Sequence, residues 1–366
     1  MEDSKKKYST ISLELRAQIV NGNLSPGTKI PTERNLAERY GVSRPTVIRA
    51  LNDLVNEGLI ERRVGAGSFV TKIDPPKEAL NFGLLVPGLG RGEIFEPICA
   101  RIAERAPTDG FTLSWGGTTR GTDGGSTILH AVESYVKQRV DGIFFQPVEF
   151  DPELERINHD VIDLLQASQI PVVLLDADYK AFPERGDFDI VGINNVRAAW
   201  VATEHLIKQG AQRVDFVSTP LIATTAVSRL GGYRLALASN CIVLDAEWEH
   251  SINPEDIAQV QQMIASGARD IMCVTDEIAA LLIPILERLE YRVPDDIRIV
   301  GFDDVKYARL VRVPLTTMKQ PCAAIGDAAV DAMLSRIAKP NRAPREFLLE
   351  AELMVRHSSI RPWMEG

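Results

Sequence analysis

Residues 24–51 read LSPGTKIPTERNLAERYGVSRPTVIRAL. Two helices and a tight turn are written into this stretch. Thr32 is a good N-cap for a segment whose Leu36, Ala37 and Tyr40 recur on one side, and Gly41 suits the left-handed conformation that ends such a helix. Ser43 is placed to cap the next helix, Pro45 is tolerated in its first turn, and Val47, Ala50, Leu51 and Leu54 form its apolar stripe. Upstream, Ile11, Leu15 and Ile19 repeat at helical spacing before turn residues Leu24 to Thr28. Downstream, Leu59–Arg63 and Ser68–Val70 flank Gly65-Ala66-Gly67, the pattern of a small hairpin.

A hairpin beside a helix-turn-helix is a wing, so residues 1–73 are expected to be a winged helix-turn-helix, mainly α. The formal net charge of the 366 residues is −9. It is unevenly spread: residues 1–73 hold 12 Lys and Arg against 8 acids, which leaves −13 on the rest. A basic head and an acidic body call for different partners. On the second helix the apolar stripe leaves Arg44, Thr46, Ile48 and Arg49 near the N-terminus facing elsewhere. In a helix-turn-helix these first-turn positions reach base edges in the major groove, where Arg can pair guanine bidentately.

Asp74-Pro75-Pro76-Lys77-Glu78 then breaks regular structure, and 74–80 is read as a linker. From Asn81 onward short apolar strands alternate with helical stretches: 82–86, 111–114, 142–145, 172–175, 214–218, 271–274 and 297–302. That rhythm predicts parallel, doubly wound α/β sheets. Residues 81–366 are too many for one small sheet, so two lobes are expected, with ligand bound beyond the carboxyl ends of the strands.

Several function classes lack their motifs. Gly88-Leu89-Gly90-Arg91-Gly92-Glu93 follows a strand, but a dinucleotide fingerprint needs glycine where Glu93 stands. There is no Walker-type phosphate loop, and the five histidines form neither a metal-ligand spacing nor a triad. Cys99, Cys241, Cys273 and Cys322 lie far apart, without a C-x-x-C pair. No cofactor, metal or catalytic residue is therefore expected, and the chain is not read as an enzyme. The start MEDSKKKYST has no apolar signal region and no apolar run approaches the ~20 residues of a membrane span, so a cytoplasmic location without membrane contact is expected.

Residues 8–71, through LSPGTKIPTERNLAERYGVSRPTVIRAL and NDLVNEGLIERRVGAGSFV, closely resemble the GntR family of winged helix-turn-helix regulators. The resemblance implies DNA contacts from Arg34, Ser43, Arg44 and Thr46, with the wing tip Gly65–Gly67 in the minor groove. The family usually has Arg two residues after the helix Thr; here Ile48 stands there and Arg49 follows, so Arg49 supplies that charge from a rotated position or the operator differs. Residues 81–360 resemble the effector domain of the LacI family, which shares the fold of periplasmic sugar-binding proteins. VDGIFFQP, IPVVLLDAD, ATEHLIKQGAQRVDFVSTP, RLGGYRLAL, RVPDDIRIVGFDDVKYARLVRVPLTTMKQP and LMVRHSS carry this second resemblance. The domain order is similar to that of arabinose-responsive repressors of the GntR group.

Carried over by position, the ligand-facing residues are Phe95, Glu149, Thr225, Arg229, Asp303 and Gln320. Thr275 replaces a common family Asn, with Asp276 read as the helix N-cap, and Trp115 is a candidate either for stacking on a sugar or for the core. Carboxylates and an Arg fork suit vicinal sugar hydroxyls, and an aromatic face suits the ring's C–H side. Lobe crossovers are expected near 175–178 and 317–320. The chain is thus read as a homodimeric, sugar-released repressor of carbohydrate genes that binds double-stranded operator DNA. The alternatives are a purine or amino-acid effector, or a non-regulatory solute-binding or carbohydrate-enzyme domain carrying a basic head.

Overall fold

The computed structural model describes residues 11–12, 14–16, 18–19, 24–56, 59–63, 66–71, 79–87, 89, 94–116, 124–148, 152–220 and 223–360, without the side chains of 56, 124–126 and 152–155. The chain divides into two compact units, residues 1–79 and 80–366. Expected residues Gly65 and Glu149, and 74–78 of the expected linker, lie outside the described residues.

The first unit is built on two helices, α1 (Glu33–Tyr40) and α2 (Arg44–Asn56). Thr32 caps α1 by accepting from the Asn35 N–H, and Gly41, at φ 59°, ends it. The described residues between 11 and 19 are helical too, and Ile11, Leu15 and Ile19 are buried with Leu36, Val47 and Leu51 in a core separate from that of the second unit. β1 (Ile60–Arg63) and β2 (Gly67–Val70) pair antiparallel, with Arg63 opposite Gly67. Gly67 has φ 110°, and a Cβ there would meet the Lys29 side chain at 3.0 Å, so the wing needs glycine at this point.

The second unit holds two six-stranded sheets. In the first lobe β3 (Leu80–Leu85), β4 (Phe111–Trp115), β5 (Gly142–Phe145), β6 (Val172–Leu175) and β7 (Asp189–Ile193) combine with β13 (Glu346–Leu349), all pairs parallel, in the order β13-β7-β6-β5-β3-β4. Both faces of β5 and β6 are buried, as expected of parallel strands sandwiched by helices. Among those helices are α3 (Phe95–Asp109), α4 (Gly124–Gln138) and α5 (Pro152–Ser168).

α6 (Asn195–Lys208) leads into the second lobe, with β8 (Asp215–Ser218), α7 (Thr224–Ser239), β9 (Glu249–Ser251), α8 (Ile257–Ala265), β10 (Asp270–Cys273), α9 (Asp276–Arg288), β11 (Arg298–Asp303), α10 (Tyr307–Leu310) and β12 (Thr316–Lys319). The chain then forms α11 (Cys322–Ala338), which packs on α3, and returns through β13 to β14 (Glu352–Met354). The second sheet has the order β14-β12-β11-β10-β8-β9, and only its β12–β14 pair is antiparallel.

The chain therefore crosses between lobes at three places: at Asn194, between Lys319 and Cys322, and between Leu349 and Glu352. The first crossing corrects the expectation of 175–178. Strand β7 intervenes there, and its charged first residue hid it from a reading of apolar runs. Asp189 is fully buried, yet Arg336 holds it with Nε and NH2 at 2.9 and 2.8 Å and the Arg345 N–H donates to it at 2.7 Å. A buried carboxylate so paired does not break a strand.

Candidate functional site

The basic head presents its expected contact residues at the surface. Arg34, Ser43, Arg44 and Arg49 are exposed and Thr46 partly so. Ser43 and Thr46 hydroxyls lie 2.8 Å apart at the start of α2, and Ser43 carbonyl accepts the first helical N–H groups. Arg34 pairs with Glu38 at 3.0 Å along α1. Arg44 donates to one oxygen of Glu33 at 3.0 Å, while the other oxygen lies 3.8 Å from Arg62 of β1. Glu33, which the sequence reading did not single out, thereby links the start of α2 to the wing. These exposed pairs are worth little in stability and can exchange for phosphate or base edges. Ile48 is half-buried.

In the body the decisive cluster gathers around Arg229 on α7. Its guanidinium is 4% exposed and spans three elements: Nε donates to Asn195 Oδ1 at 2.9 Å, NH1 to the Val274 carbonyl at 2.7 Å and NH2 to Asp303 Oδ1 at 3.3 Å. Its face lies 3.7 Å from the centre of the Phe302 ring. Gln320 Nε2 donates to the same Asp303 oxygen at 2.8 Å. Asp303 and Gln320 line an open cavity of about 740 Å³, bounded by the start of α3, by the loop after β11, and by the second and third crossings.

A first-lobe carboxylate approaches this cluster. Asp176, just past the carboxyl end of β6, is pushed up to about 6 by burial, with Arg229 opposing and Asp303 adding to the shift. Burial also raises the Asp303 carboxyl above the ordinary carboxylate range, against the pull of Arg229 and Gln320. The Cys322 thiol at the start of α11 is pushed up to about 11, first by burial and then by Asp303. Asp176 and Asp303 have φ of 70° and 111°, backbone that Asp tolerates better than most residues. Gly192 of β7 makes room beside Asp176: a Cβ there would come within 2.9 Å of the Asp176 carbonyl.

Other expected ligand residues lie elsewhere. Phe95 is 5% exposed and packed in the first-lobe part of the core, because its ring turns away from the cavity that its neighbours Ile94, Glu96 and Pro97 line. Thr225 is buried one turn before Arg229 and is not in the lining. Thr275, not Asp276, is the N-cap of α9, and its hydroxyl accepts the Ile278 N–H at 3.3 Å. Asp276 instead lies beneath the cavity wall, accepting from Thr317 Oγ1 at 2.6 Å and from the Val305 N–H at 3.0 Å. Trp115 sits half-exposed at the end of edge strand β4, outside both the core and the cavity lining.

Residues 7–70 match the model of the bacterial regulatory proteins, gntR family, and residues 203–359 that of a periplasmic binding protein-like domain. The head is thus similar to the gntR family and the body to periplasmic binding protein-like domains. The arabinose metabolism transcriptional repressor of Halalkalibacterium halodurans is 26% identical over 375 residues, covering 96% of each chain. The HTH-type transcriptional repressor PurR of Mannheimia succiniciproducens is 28% identical over 350 residues, covering 89% of this chain and 98% of its own. The solved regulator CelR in complex with cellobiose superposes with a TM-score of 0.65 at 20% identity, over 90% of this chain and all of that one, a likeness of fold. Both curated relatives are named as transcriptional repressors.

Within the regulator, Asn195, Phe302 and Asp176 join the cluster without having been singled out from sequence. Asp176 had a legible signal: a polar residue ending an apolar strand inside IPVVLLDAD, at the carboxyl edge where α/β sheets bind ligands. Among the described residues no group of three or more His, Cys, Asp or Glu could hold a metal ion, and no helix is long and apolar enough to cross a membrane.

Proposed function

We propose that this regulator is a cytoplasmic, homodimeric repressor of carbohydrate-use genes, holding operator DNA through its winged head and releasing it when a sugar binds between the lobes. Operator contacts fall to Arg34, Ser43, Arg44, Thr46 and Arg49, with the Gly65–Gly67 wing tip in the minor groove. A homodimer suits the reading because one small head covers a single half-site and a two-fold partner supplies the other.

The observation that carries the effector assignment is the Arg229–Asp303–Gln320 cluster at the lobe crossings, where polar groups from both lobes meet in one cavity. Sugar binding there draws the lobes together, and closure acts on whatever the lobes support. Glu149 remains assigned to the same site. The likeness to the repressor PurR favours a second reading, a purine effector in the same cavity.

The test has two steps: a thermal-shift screen of sugars and purine bases, then titration of an operator selected by the full-length protein with and without the hit. Coupling of ~1–3 kcal/mol weakens operator binding roughly 5–150-fold. Equal operator Kd values with and without bound sugar defeat the proposal, and tighter binding makes the sugar a corepressor.

A further inference from the structure

The body is acidic as a whole, yet one stretch of it is basic. Residues 332–345 read AMLSRIAKPNRAPR, with four cations, Arg336, Lys339, Arg342 and Arg345, and no carboxylate. They run from the last turns of α11 through an exposed turn into β13. The carboxylates around them are already paired. Buried Asp189 accepts from Arg336 Nε and NH2 and lies 3.8 Å from Arg345 Nε, Glu346 and Asp178 pair with Arg185, and Asp331 pairs with Arg105. Among the described residues neither Lys339 nor Arg342 pairs with a carboxylate. Instead, Arg342 NH1 and Arg345 NH2 converge on a neutral oxygen, Ser335 Oγ, at 3.1 and 3.2 Å. Arg345 Nε is buried without an acceptor in hydrogen-bond reach. Two guanidiniums brought together on a hydroxyl repel each other and keep N–H groups undonated, and a phosphate would relieve both conditions.

The topology of the first lobe says which phosphate this is. All strand pairs of its sheet are parallel, so the amino ends of the six strands share one edge. The basic turn leads into the amino end of β13 at Glu346, and the body itself begins at the amino end of β3, at Leu80. Four strand spacings of ~4.8 Å separate β13 from β3, on the order of 20 Å. The chain therefore leaves for the DNA-binding head from the same edge that carries the basic turn. Duplex DNA bears a negative charge every ~1.7 Å, so an acidic body tethered beside it is repelled except where its edge is basic.

Resting on the operator-binding reading, we propose that Lys339, Arg342 and Arg345 form a second DNA-contact site, on the body, that grips backbone phosphates of the duplex held by the head. Arg342 and Arg345 supply planar forks suited to phosphate oxygens, and Lys339 adds a point charge. Phosphate contacts position a protein on DNA and carry no base information. The site therefore adds salt-sensitive affinity and leaves sequence reading to the head.

The test is fluorescence anisotropy of the full-length regulator on a long duplex containing an operator that it selects, across a range of salt concentrations. It compares the parent, the double variant Lys339→Gln with Arg342→Gln, and Arg342→Lys. The slope of log K against log salt should flatten by about 0.9 for each cation lost, roughly 3–4 for the double variant in a two-fold dimer. Affinity should fall ~10-fold or more, with the preference for operator over unrelated DNA unchanged. Arg342→Lys, which keeps the charge, should keep the parental slope. An unchanged slope in the double variant overturns this proposal while leaving operator recognition by the head intact. If the parent prefers no DNA sequence, the operator reading fails and this proposal fails with it. Calorimetry with inorganic phosphate separates the remaining source: a saturable site lost in a double variant whose DNA slope is unchanged assigns the cluster to a small free anion and overturns the DNA contact. Lys339 is exposed, so if the double variant fails to fold, Lys339→Gln alone should still flatten the slope by about 2 in the dimer, and no change refutes the proposal.

Discussion

Replacing Asp276 by Asn should stabilise the body at high pH, an outcome opposite to that of most substitutions in a polar cluster. Asp276 is fully buried, and its carboxyl is pushed up to about 8, first by burial and then by the charge of Asp303, against hydrogen bonds from Thr317 and the Val305 N–H. Its ordinary value is 3.8. A carboxyl raised on folding leaves stability intact below the unfolded value and loses it as pH climbs toward the folded value, at roughly 1.4 kcal/mol per pH unit and on the order of 5 kcal/mol at and above pH 8. The neutral acid can donate to Thr317 Oγ1 while accepting from Val305, and an asparagine amide can do both as well. By the same slope the variant should already lead the parent by about 1.6 kcal/mol at pH 5. Its advantage should widen steadily to pH 8 and then level off. The four tryptophans, at 115, 200, 248 and 363, all fall in the second unit, so fluorescence-monitored urea unfolding at pH 5 to 9 follows the body alone. Subtracting the two curves removes other titrating groups such as His205, whose value burial lowers. A variant less stable than the parent by the same amount at every pH refutes the argument, because it means that Asp276 is ionised throughout and held as an anion.

Arg44→Ala should weaken operator binding by ~1–3 kcal/mol and relax selectivity at one base position, measured by fluorescence anisotropy at fixed salt; parental affinity and selectivity would remove α2 as the reading helix. Two adjacent glycines of α7 should respond in opposite directions to alanine. A Cβ on Gly232 would come within 2.1 Å of the Val196 carbonyl of α6, so Gly232→Ala should destabilise the body by ~1–3 kcal/mol or more, whereas Gly231 faces open space and Gly231→Ala should stabilise it by ~0.5–1 kcal/mol. Thermal melts of the two variants shifting in the same direction would contradict the α6–α7 packing.

Much of the fold was legible because its signals are local. Thr32, Gly41 and the stripe through Val47 and Leu51 are each read within one helix, and those positions cap, end and bury as their chemistry requires. Apolar strands such as β5 and β6 announce themselves because both of their faces are covered. The strands missed from sequence are those whose burial depends on distant partners: β7 begins on Asp189, which only Arg336 and the Arg345 N–H neutralise, 147 and 156 residues away. Short edge strands β9 and β14 expose part of their surface and carry too few apolar residues to stand out.

That three of the candidate residues lie together was legible from sequence, but the contacts each of them makes were not. Arg229, Asp303 and Gln320 lie together as their positions implied, and the guanidinium gives three of its five N–H groups to residues 34, 45 and 74 positions away in sequence. Sequence can say that an arginine occupies a ligand-facing position; only geometry says which of its nitrogens are still available. The same holds for Thr275 and Asp276, adjacent polar residues whose capping and cross-linking roles exchange once the helix start is fixed. Arg229 serves as a scaffold: it donates to Asp303 at 3.3 Å, and the same Asp303 oxygen accepts from Gln320 at 2.8 Å. Near it, Gln320 Oε1 and Asp176 Oδ1 are buried without a hydrogen-bond partner among the described residues, acceptors that a hydroxyl donor would satisfy.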